Sequence, residues 1–169
     1  MKTRAIFAVV VFASATQAQQ QNTPKPEQQH AEMMKRGDTG MGFSQEKTTH
    51  HFFLLRDGGA IQVSANDPKD DVSRDHIRMH LSHVAKDVFG RQLQYSDVHN
   101  TMPPGVPTLE RLHKEIRYHY EQTDTRAKVV MATTNPKALR LSTSSCGFRI
   151  SEHKTGDPMK PAGDDLKRE

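Results

Sequence analysis

The residues best suited to chemistry lie in one stretch: His76, His80, His83 and Asp87. On a helix of about 3.6 residues per turn these four side chains fall within about 60° of one another and share a narrow stripe. Imidazoles at i and i+4 can reach one ion together, and neutral imidazole suits zinc, copper and nickel. Met79 flanks the stripe with a thioether, and His50, His51 and His119 stand as auxiliary donors elsewhere in the chain. His30, Met33, Met34 and Met41 add further imidazole and thioether groups upstream. Such a set, with a single thiol in the chain, points to copper or zinc as the cofactor. No Cys-x-x-Cys or His-Glu-x-x-His pattern fixes a coordination geometry. The competing reading makes His76, His80 and His83 a solvated helix edge, and His51 and His119 strand residues. Protonated imidazoles on one helix face repel, so the stretch is expected to loosen as pH falls through about 6.5.

Other matches carry less. Asp38-Thr39-Gly40 has the aspartic-protease triplet but no apolar strand leading into it. Cys146 and His153 stand two helical turns apart, outside direct hydrogen-bond reach as nucleophile and base. Nucleophile elbows, phosphate loops and dinucleotide fingerprints are absent from the sequence. The chain is therefore read as non-enzymatic.

The elements that must position these residues follow from local pattern. His50 to Leu55 and Ala60 to Ala65 are short apolar-rich runs around Arg56-Asp57-Gly58-Gly59, which predicts a β-hairpin. After Asn66-Asp67-Pro68, the apolar positions Ile77, Leu81, Val84 and Val88 mark one helical face, with Gly90 as a suitable stop. Residues 91–107, which end in Pro103-Pro104-Gly105-Val106-Pro107, form a connector, followed by a short helix from Leu109 to Glu115. Ile116 to Glu121 and Ala127 to Thr133 repeat the hairpin around Thr123-Asp124-Thr125-Arg126, and Asn135-Pro136 offers the cap of another helix. A constant shift aligns the halves without a gap, bringing His51 onto His119, Ile61 onto Val129 and Pro68 onto Pro136. The expectation is an α+β fold: a four-stranded antiparallel sheet from a duplicated strand-strand-helix unit, with both helices on one face. Leu141 to Gly147 spoils the symmetry, because Leu-Ser-Thr-Ser-Ser-Cys-Gly has neither helix propensity nor an apolar stripe. Ser142 to Phe148 can be encoded TCC ACG AGT TCC TGC GGT TTC, and that string read two bases later gives His-Glu-Phe-Leu-Arg-Phe. A pair of compensating indels would account for the stretch, and the gene's own codons decide the point.

The chain has 169 residues, 34% hydrophobic, one cysteine and a formal charge of +4, with a mean hydropathy of −0.78. Lys2 and Arg4 precede an apolar run from Ala5 to Ala13 and the small-residue stretch Thr16-Gln17-Ala18, the pattern of a cleavable secretory signal over residues 1–18. Loss of that segment takes two basic residues with it, so the remaining near-neutral chain gives no reason to expect nucleic acid or an anionic membrane as partner. Nor does it leave a membrane anchor. Residues 19–49 read as a flexible Gln/His/Met-bearing arm, 50–158 as a single α+β domain and 159–169 as a polar tail.

Three segments, Met41 to Phe52, Pro103 to Pro107 and His153 to Asp157, are similar to those of a group of small exported bacterial proteins. The resemblance covers about residues 41–158. It implies export and a single domain, with a continuous amphipathic helix where this chain has Leu141 to Gly147, and it brings no activity or binding residue. Two functions remain. One is a periplasmic or secreted protein that binds copper or zinc through the His76, His80, His83 and Asp87 face. The other is a non-catalytic module for a protein partner, with incidental histidines.

Overall fold

A computed structural model of the chain describes residues 25–87 and 105–161. The elements run α1 (Pro26–Met41), β1 (Thr48–Leu55), β2 (Gly58–Ala65), α2 (Asp71–Asp87), α3 (Val106–Leu112), β3 (Ile116–Gln122), β4 (Arg126–Thr133) and α4 (Pro136–His153), with short 3-10 turns at Gln45–Lys47 and His113–Glu115. The signal segment, Val88 and Gly90, the connector up to Pro104 and the last residues of the tail lie outside the described residues. Among the described residues, no helix is long and apolar enough to cross a membrane.

The four strands form one antiparallel sheet in the order β1-β2-β4-β3. Its register repeats between the halves. His51 faces Gln62 in the first hairpin and His119 faces Val130 in the second, positions equivalent under the shift that aligns His51 with His119. Ile61 and Val129, which that shift also aligns, sit opposite each other across the central pair β2 and β4. The helices are exchanged between the halves: α2, which follows the first hairpin, packs on β4 and β3, whereas α4 packs on β1 and β2. One apolar core joins Phe52, Leu54, Ile61, Val63, Ala127 and Val129 to Ile77 and Leu81 of α2 and to Cys146 and Ile150 of α4. Strand alternation puts all six strand residues on one sheet face, so both helices cover that face.

Three local expectations are corrected. The segment taken as a flexible arm contains α1, which starts with Pro26 at its first turn and ends where the Gly42 N–H donates to Asp38 O at 2.9 Å. Met33 and Gly37, one turn apart, face inward, and Gln45 fastens the helix by donating from Nε2 to Met34 O at 2.9 Å and from its backbone N–H to Asp38 Oδ1 at 2.8 Å. The first hairpin turns on Arg56 and Asp57 alone, so Gly58 and Gly59 belong to β2. The third correction concerns Leu141 to Gly147, which is continuous helix within α4. Asn135 caps it by accepting from the backbone N–H groups of Lys137 and Ala138 at 2.8 and 3.1 Å. Its buried stripe is Ala138, Ser142, Cys146 and Ile150, each one turn from the next. Small residues at that spacing bring the helix backbone close to the sheet, which does for packing what bulky apolar residues do in α2.

Candidate functional site

Strand alternation in β1 turns His50 toward the helices beside Phe52 and sends His51 to the opposite face. His50 then stacks on residues from two other parts of the chain, and a third residue joins through one of them. Its ring stacks on Phe43, just after α1, at a centroid distance of 5.9 Å. On another side it stacks on His153, the last residue of α4, at 6.1 Å with the planes 13° apart. His80 of α2 meets the same Phe43 edge-on at 5.8 Å. Phe52 completes the cluster, with the His153 ring 5.4 Å away and the Arg149 guanidinium 5.7 Å from its centroid.

Charge is disfavoured in this place. Burial lowers His50 from 6.5 to about 4, aided by His80, Arg149 and His51 and opposed by Asp38 of α1. Burial also lowers His80 to about 4, with Arg149 and His83 adding to the effect. Arg149 itself is pushed down to about 10 by burial, against the pull of Glu152. Both imidazoles are therefore neutral at pH 7 and carry a ring nitrogen lone pair. The His50 Nε2 atom is buried and finds no hydrogen-bond partner among the described residues. A buried polar atom without a partner costs about 1–3 kcal/mol.

The neighbouring His51 is held differently. Its Nδ1 lies 2.8 Å from Asp157 Oδ1, while Asp157 Oδ2 accepts from the Phe52 N–H at 2.9 Å and from the Thr155 hydroxyl at 2.6 Å. Burial would raise the Asp157 carboxyl, but the Thr155, Phe52 and His51 contacts outweigh it and hold the group below its ordinary value.

Of the residues singled out from sequence, the structure places His80 and His50 against the same Phe43 ring, within electrostatic range of each other. His83 is exposed and lies close enough to His80 to disfavour its charge. His76 is half-buried and Met79 is 51% exposed, while the Asp87 side chain lies outside the described residues. His119 sits on β3, the sheet edge opposite β1, and its Nε2 is 3.4 Å from Glu121 Oε1. Among the described residues, no three His, Cys, Asp or Glu side chains converge closely enough to hold a metal ion. The single-face stripe is thus divided: the buried flank of α2 takes His80, whereas its solvent flank takes His83. Phe43, Arg149 and Asp157 carry no signal in the sequence that marks them as site residues, and His153 stands there only as a distant base for Cys146. A continuous α4 is the signal that places Arg149 and His153 one turn apart on a common face. Comparison of the chain with protein-family models, with curated proteins and with solved structures returns no match.

Proposed function

We propose that this chain is an exported, non-catalytic binding protein that takes up a monovalent copper ion between His50 and His80. The observation that carries the reading is the His50 Nε2 atom, buried and unpartnered among the described residues, in a cluster that keeps it and the nearby His80 neutral. An ion at that nitrogen would replace the missing hydrogen bond, and imidazoles that are already neutral lose no proton on ligation; the burial and the Arg149 charge that disfavour protonation oppose a cation too, so the ligand bonds must outweigh them. The donor count favours copper over zinc. A structural zinc site takes about four protein ligands, whereas copper(I) accepts fewer, and among the described residues no three His, Cys, Asp or Glu side chains converge. The export half of the reading rests on Lys2, Arg4 and the apolar run from Ala5 to Ala13.

Competition titration with a chromophoric copper(I) chelator tests the proposal. Binding by the chain lacking residues 1–18 is expected to fall sharply in His50→Ala and in His80→Ala and to persist in His119→Ala. Equal affinity in all four proteins would favour an interaction module whose histidines are incidental.

A further inference from the structure

The segment His153-Lys154-Thr155-Gly156-Asp157 straddles the edge strand β1. After α4 the chain passes through Lys154 in the left-handed region, at φ 52°, and Lys154 donates its N–H back to Ile150 O. Thr155 N–H donates to the same carbonyl at 3.3 Å. Gly156, at φ 76°, makes the second left-handed step, a conformation that glycine adopts without the cost a side chain brings. These two steps return Asp157 to β1, where it engages the His51 ring and the Phe52 N–H. At the other end of the segment, His153 lies parallel to the His50 ring. One five-residue strap therefore reaches both histidines of β1: His153 covers His50 on the helix side, and Asp157 catches His51 from beyond the strand edge.

We propose that Asp157 is a positioning residue for the His50 site, a latch that holds the strap shut and keeps His153 seated over His50. The inference rests on the copper reading for its consequence and on the strap geometry for its substance. With the Asp157 side chain only 7% exposed and three groups bonded to its two oxygens, the latch is a specific anchor and not a chance surface contact. Groups bonded directly to a ligand change metal affinity by about 10–100-fold when lost; Asp157 bonds His51, Phe52 and Thr155 and reaches His50 through His153 and β1, which puts its effect at the low end.

Two variants open the latch by different routes. Asp157→Asn removes the charge that His51, Phe52 and Thr155 converge on. Gly156→Ala removes no side-chain bond, and nothing lies within 4 Å of the added Cβ, so it acts through the backbone conformation alone. Each is expected to weaken copper(I) binding about tenfold and to speed carbethoxylation of His50 by diethylpyrocarbonate in the metal-free protein, followed by peptide mass spectrometry. Lys154→Gly, which favours the same left-handed turn, is expected to leave both readouts as in the parent. Unchanged labelling of His50 in Asp157→Asn and Gly156→Ala would overturn the latch, whether or not copper binds. Should the parent bind no copper(I) while both variants expose His50, the latch stands and the copper reading falls. If Asp157→Asn does not fold, Gly156→Ala alone decides between these results.

Discussion

Gly59 of β2 lies directly beneath Cys146 of α4, so close that a Cβ on the glycine would stand 2.5 Å from the Cys146 Sγ. The pair sets how near the small-residue face of α4 comes to the first hairpin. Burial raises the Cys146 thiol to about 12, so it is protonated at pH 7 and acts as a small apolar group.

Gly59→Ala should therefore destabilise the fold by about 1–3 kcal/mol through overpacking. Cys146→Ala, which empties the contact, should recover part of that loss in the double variant, giving a coupling of about 0.5–3 kcal/mol in a double-mutant cycle read by urea unfolding. Strict additivity would show that the two residues do not press on each other.

The sheet was the most legible part of the sequence, and for a physical reason. Apolar-rich runs between turn signals mark β1, β2 and β4, which bury a main core on one face and a smaller cluster of Leu55, Ala60 and Val130 on the other, and the shift from His51 to His119 preserves the register found in both hairpins. The first half of α2 was legible too, because Ile77 and Leu81 are bulky and both are fully buried. The start of α4 was legible in Asn135-Pro136, but its middle was not, since a face of Ala138, Ser142 and Cys146 buries little apolar bulk and resembles a polar loop. That omission hid Arg149 and His153 from the site. For α1, Pro26 at the start and Gly42 at the end are ordinary helix boundary signals, but Met33 is its one buried apolar side chain, and the hydrogen bonds that fasten it come from Gln45, a polar residue with no hydrophobic signature.

The last point can be measured. Gln45→Ala removes the bond to Met34 O, a contact worth about 1 kcal/mol net. Amide hydrogen exchange in α1 should quicken about fivefold, with little change in β2 and β4. An α1 that exchanges at the parent rate would show that Gln45 is not its anchor.

Stability should also fall in acid, and the burial of two imidazoles gives the sign. His50 and His80 have folded values of about 4 against 6.5. Above pH 6.5 both rings are neutral folded and unfolded, so the penalty is absent. Between pH 6.5 and 4 the unfolded chain takes up protons that the folded chain refuses, and stability is lost. At pH 5 each ring accounts for about 2 kcal/mol of that loss. Asp157, held low when folded, works in the same direction at still lower pH. Urea unfolding at pH 7.5 and pH 5 should reveal the difference, and His80→Gln should remove about half of it. The cause therefore differs from simple repulsion along one helix face: burial dominates, and the charges that assist it come from α4 as well as α2. Equal unfolding free energies at the two pH values would contradict the neutral buried cluster.

X-ray absorption spectroscopy of the loaded protein reads directly whether His50 and His80 together hold one copper(I) ion. The expected spectrum has two nitrogen scatterers nearest the metal, the outer-shell signature of imidazole and no sulfur, and it is lost in His50→Ala. A sulfur scatterer in the first shell, or a spectrum that survives the His50 substitution, would contradict it.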